Sequence, residues 1–111
     1  MYLTLFLVHP KDNRVLYDKK IAVNLDKMAA AAGVYKALWQ PYENKYAYGR
    51  DMVGVLEDGL KELHNKPGYY KTFEPQSGPE TYNHLVNFVD KTLKACLHFP
   101  DAVITQIHTE A

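Results

Sequence analysis

The chain has 111 residues, 13 Lys/Arg balanced by 13 Asp/Glu, and an apolar fraction of 47%. That length is near the commonest domain size and buries roughly two-thirds of the unfolded surface, so residues 1–111 are read as a single domain with its own core. Neutrality argues against a dedicated nucleic-acid binder, which carries a basic excess; no apolar run reaches the ~18 residues that span a bilayer.

Tyr2 to Val8 is a β-favouring run, with Leu3, Leu5 and Leu7 on one face and Tyr2, Thr4, Phe6 and Val8 on the other. Both faces are largely apolar, which predicts a central strand. His9-Pro10-Lys11-Asp12-Asn13 is turn chemistry. Residues 14–23 then alternate as the second arm of a hairpin, with Asp18-Lys19-Lys20 as a polar, bulge-prone stretch that protects an edge. Asn24 is placed as the N-cap of a helix over 25–40, because Leu25, Met28, Ala29, Ala32, Tyr35 and Trp39 recur at helical spacing. Gly33 bends this helix and Pro41 ends it. Residues 42–49 read as a loop. A second helix over 51–65 buries Met52, Val55, Leu56, Leu60 and Leu63, and Pro67-Gly68 closes it.

Residues 69–76 connect, with Tyr70 and Phe73 clamped on the core. Ser77 and Glu80 match a capping box for a third helix over 79–98, whose inward stripe is Tyr82, Leu85, Val86, Val89, Leu93 and Cys96. Residues 102–108 alternate as a last strand. The expected fold is therefore α+β in the order ββαααβ: a small antiparallel sheet of strands 2–8, 14–23 and 102–108, the last beside the first. Three helices, 25–40, 51–65 and 79–98, cover one face of it. The other face keeps Tyr2, Phe6 and Val8, which predicts a homo-oligomer or a docking surface.

Nine tyrosines and one tryptophan are the strongest chemical signal. Tyr35, Trp39, Tyr42, Tyr46 and Tyr48 are interleaved with Lys36, Lys45 and Arg50, and rings with polar tips among cations suit a surface that grips a base, an anion or another chain. The packing alternative is that half of these rings lie under a loop. Charge is also uneven along the chain: residues 1–50 carry eight Lys/Arg against four Asp/Glu, and residues 51–111 carry five against nine. That pattern suits an anionic partner for the first half, unless folding mixes the two sets.

Catalytic and metal chemistries find little support. His84 and His98 are fourteen residues apart on one helix, roughly 21 Å along its axis, and His9, His64 and His108 fall at element ends. No zinc, calcium, phosphate-loop or nucleophile-elbow motif occurs, so no metal or cofactor is expected. Cys96, the lone cysteine, fits a reducing compartment and reads as a buried structural thiol. The remaining enzyme candidates are His9 and His108, two imidazoles at the ends of strands predicted to be neighbours. The start of the chain lacks the features of a signal peptide, and a cytoplasmic location is expected.

Two blocks carry a resemblance. Asn24-Leu25-Asp26-Lys27-Met28-Ala29 runs through Ala32-Gly33-Val34-Tyr35 to Leu38-Trp39 and Pro41. Thr81-Tyr82, Leu85-Val86, Phe88-Val89, Leu93, Ala95-Cys96 and Pro100-Asp101-Ala102 form the second. Together they resemble a family of short uncharacterised proteins of phage, prophage and bacterial genomes, over about residues 24–103. The likeness brings no activity; it implies a phage-related provenance, hence a host cytoplasm and a counter-defence role. The chain departs from the family pattern at Ala22-Val23, Gln40 and Gly78-Pro79-Glu80.

The expectation is a small non-enzymatic binding protein that engages a host protein or a small anionic or nucleotide ligand through Tyr35, Trp39, Tyr42, Lys45, Tyr46, Tyr48 and Arg50. The alternatives are a small hydrolase or nucleotide-processing enzyme using His9 and His108, and a structural assembly subunit.

Overall fold

A computed structural model describes residues 1–109. Its elements are β1 (Tyr2–Val8), β2 (Val15–Ala22), α1 (Asp26–Ala31), α2 (Tyr35–Trp39), α3 (Gly49–Asn65), α4 (Pro67–Lys71), α5 (Tyr82–His98) and β3 (Val103–Thr109). Short 3-10 turns occupy Val23–Leu25 and Tyr42–Asn44. The sheet order is β2-β1-β3 and both pairings are antiparallel. The α+β fold with a central first strand is thus as the apolar pattern of both its faces demands.

Register sorts the side chains cleanly. Leu3, Leu5 and Leu7 lie opposite Ile21, Lys19 and Tyr17 on one side and His108, Gln106 and Ile104 on the other. This is the helix-covered face: the three leucines are fully buried, and Ile21 and Ile104 nearly so. Tyr2, Thr4, Phe6 and Val8 share the opposite face with Asp18, Lys20, Val103, Thr105 and Ile107, and none of these is fully buried. The bulge falls where Val8 pairs with Val15, leaving Leu16 unmatched, and not at Asp18-Lys19-Lys20.

α3 and α5 form the most extensive helix pair. Met52, Leu56 and Leu63 of α3 meet Leu85, Phe88, Val89 and Cys96 of α5 in one core. Gly59 lets α3 approach the turn before α2, since a Cβ there would run into the Val34 side chain. Thr92 is the buried polar residue on α5, and its hydroxyl hydrogen-bonds the Tyr17 hydroxyl at 2.9 Å, tying α5 to β2.

Three local expectations are corrected. The helix over 25–40 is two short helices, because Gly33 takes φ +83°. Its N–H donates to Ala30 and that of Val34 to Ala29, a Schellman ending that glycine permits and a bent helix does not need. Asn24 does not cap α1; it lies within a 3-10 turn whose ends carry no side-chain cap. The last helix starts at Tyr82 and not at 79, since the working cap is Thr81 with His84. The His84 ring reaches back to accept from the Thr81 N–H at 2.9 Å, a role given in sequence to Ser77 and Glu80. Pro67-Gly68 closes α3 as expected but also opens α4, which sets Tyr70 into the core.

Candidate binding surface

The stretch after α2 is a strap laid along the free edge of β3. Ile104 N–H donates to the Ala47 carbonyl (2.9 Å), Gly49 N–H to Ala102 (2.9 Å) and Arg50 N–H to Pro100 (3.0 Å). Gln106 N–H donates to the Tyr42 hydroxyl at 2.9 Å, and the Gln106 carboxamide donates to Leu38. The strap thereby caps an edge that would otherwise offer unpaired backbone groups. Its own shape is fixed at both ends. Tyr46 N–H returns to Pro41 and the Asn44 side chain to Gln40, with Lys45 in the left-handed region at φ 65°. Asp51 of α3 accepts from the N–H groups of Ala47 and Tyr48, the reciprocal half of a capping box.

These anchors divide the predicted site residues into three groups. Trp39 belongs to the core: it is 4% exposed, its indole N–H donates to Val23 and its ring stacks on Tyr35 at 6.0 Å. It is therefore removed from the contact surface, because α2 turns its ring toward the 3-10 turn before α1. Tyr35 and Tyr46 are half-buried and line a shallow cleft of about 230 Å³ with Lys36 and Gly33. Tyr42, Lys45, Tyr48 and Arg50 remain on the surface, with Tyr42 59% and Tyr48 38% exposed. The Arg50 guanidinium lies 4.4 Å from the centre of the Tyr48 ring and pairs with Asp101 at 2.9 Å. Stacking and pairing together hold the guanidinium over the ring.

The histidine pair is separated by strand direction. His108 lies opposite Leu3 near the start of β1, whereas His9 follows its end, so roughly 20 Å of strand divides them. His9 is instead grouped with His98, Lys11 and Asp101 around a cleft of about 340 Å³. Nδ1 of His9 lies 3.2 Å from the N–H of Lys11 and 3.3 Å from the Asp12 carboxylate. That His9 and His98 line one cleft was invisible in the sequence because α5 ends beside the hairpin turn only in the folded chain. A third cleft, between β2 and the start of α5, gathers Lys19, Glu80 and His84, residues that carried no functional signal in sequence.

Cys96 is fully buried, and burial pushes its thiol up to about 12, far from a nucleophile at neutral pH. Burial likewise pushes the Tyr17 hydroxyl up to about 12, against the opposing pull of its bond to Thr92. Among the described residues, no group of three His, Cys, Asp or Glu is placed to hold a metal ion. No helix among them is long and apolar enough to cross a membrane. Comparison with protein families, with curated proteins and with solved structures gives no match.

Proposed function

We propose that the protein is a non-catalytic binding protein whose contact surface is the exposed half of the strap, and that its partner is another protein. The observation that carries this reading is the Tyr48–Arg50 pair: an exposed ring bearing a cation, on a backbone pinned to β3 and α3. Tyrosine and arginine on a rigid base lose little conformational entropy on binding, which is why they dominate interface hot spots. Arg50 and Asp101 are 54% and 84% exposed, so their pair contributes at most about 1 kcal/mol. A partner carboxylate can therefore take the place of Asp101 at low cost, while Tyr42 adds apolar contact and Lys45 steers an acidic surface. A small anionic ligand fits this patch less well, since none of the clefts described above is lined by Tyr42, Tyr48 or Arg50. With the phage resemblance, the partner class is a bacterial host protein bearing an acidic docking segment.

The test places a photo-crosslinking amino acid at position 42 and, as control, at Asp58 on the wet face of α3, in protein expressed in a bacterial host. A discrete adduct from position 42 alone, lost on Arg50→Glu while the fold persists, is expected. Equal labelling from both positions, or an adduct indifferent to Arg50→Glu, would remove the strap as the contact surface.

A second reading, self-association, is favoured by the helix-free face of the sheet. Phe6 and Val8 are half-buried there, and Val15 and Ile107 are each 49% exposed. Asp18 and Lys20 flank them on the same face, a pairing of signs that a two-fold partner could satisfy reciprocally.

A further inference from the structure

We propose that the cleft between β2 and the start of α5 is a binding site for a small zwitterion, a molecule of free amino-acid size carrying one ammonium and one carboxylate group. It is independent of the strap. The cleft holds about 190 Å³, room for a small organic molecule and well beyond a single water. Tyr2 and Ile21 give it an apolar wall, and Lys19, Glu80, His84 and Asn87 supply its polar groups.

Glu80 is the informative residue. Its Oε2 is buried and has no hydrogen-bond partner among the described residues. Its carboxylate is folded over Gly78, where a Cβ would collide with Oε2, so the glycine keeps that position open. Oε2 is closed off against Gly78, so what Glu80 offers a ligand is the part of its side chain that lines the cleft, and its carboxylate pairs with no cation among the described residues. Glu80 also lines an adjoining cleft with Met1, Tyr2 and Asp26.

The same cleft also carries a donor set. Lys19 is on the helix-covered face, half-buried opposite Leu5, and no carboxylate lies within 4.0 Å of its ammonium among the described residues. Its neighbour Lys20 is occupied differently, its ammonium lying 5.1 Å from the centre of the Tyr2 ring. The His84 ring uses Nδ1 to accept from Thr81, which leaves Nε2–H as its free donor. Asn87, one turn further along α5, adds a carboxamide to the same wall. Lys19 and Glu80 therefore line one cleft without pairing with each other. An anion alone would meet Glu80, and a cation alone would meet Lys19; a ligand with both charges satisfies both side chains through charge-assisted hydrogen bonds. A metal ion does not fit, because no third His, Cys, Asp or Glu joins Glu80 and His84 there among the described residues.

The test is an amide chemical-shift titration of the whole protein with leucine and alanine, each against its N-acetyl derivative (no ammonium) and its amide (no carboxylate), up to about 10 mM. Saturable shifts around Tyr2, Lys19 and His84 are expected for a free amino acid, with each mono-ionic analogue at least about tenfold weaker. Glu80→Gln, which breaks no ion pair among the described residues and keeps the side chain's shape, and Lys19→Met should each weaken binding about tenfold, and Arg50→Glu should leave it unchanged. The proposal is overturned if neither amino acid saturates, if one mono-ion binds as tightly as its parent, or if Glu80→Gln retains full affinity. Failure here leaves the strap reading intact, and failure of the crosslinking leaves this one intact.

Discussion

Trp39→Ala is a decisive perturbation, because a contact residue and a core residue respond to it in opposite ways. The indole is 4% exposed, stacks on Tyr35 and donates to the Val23 carbonyl at 3.3 Å. Truncating a buried tryptophan costs about 3–5 kcal/mol, and stripping a half-buried carbonyl of its donor adds about 1 kcal/mol. A domain of this size is stable by only about 5–15 kcal/mol, so a loss of roughly 4–6 kcal/mol removes a large share of it. In urea, with a slope of about 2 kcal/mol/M, the midpoint should fall by about 2–3 M. Trp39→Phe keeps a ring and loses only the donor, and should cost about 1–2 kcal/mol. Trp39 is the sole tryptophan, so its own fluorescence reports the same question: native emission should be that of a dry indole, shifting to the red on unfolding. A destabilisation below about 1.5 kcal/mol for the alanine variant would refute the assignment of this ring to the core.

Two further outcomes follow from buried protons and from the open sheet face. In the unfolded chain the Cys96 thiol titrates near 9.0 and the Tyr17 hydroxyl near 10.0, whereas in the folded chain both hold their protons to about 12. The unfolded state thus binds fewer protons above about pH 9, so stability is full below that point and falls as pH rises toward 12. Thermal melts should show this decline, with Cys96→Ala moving its onset up toward pH 10; a melting temperature flat across the range would contradict the burial of both groups. For self-association, sedimentation at about 0.5 mM should show a dimer that Phe6→Glu converts to a folded monomer, and a wild-type monomer at that concentration would dispose of this reading.

The sequence by itself determined what depends on short-range pattern. Alternation in Tyr2–Val8 with two apolar faces required a central strand, and the spacing of Met52, Leu56 and Leu63, and of Leu85, Val89 and Cys96, fixed the buried stripes of the two long helices. Local pattern failed where two local solutions compete. Gly33 could bend a helix or end one, and Ser77 and Thr81 both offer a cap; the packing of Val34 against α3 and the reach of the His84 ring to Thr81 selected between them. The site was decided almost wholly by tertiary structure. Tyrosine and tryptophan are amphipathic, so composition cannot say which rings face water; that followed only when β3 offered an open edge and the chain from Tyr42 to Gly49 closed it, interring Trp39 and displaying Tyr42, Tyr48 and Arg50. The clefts around His9 and Glu80 needed long-range pairing as well, since each joins a strand or hairpin to a helix more than sixty residues away.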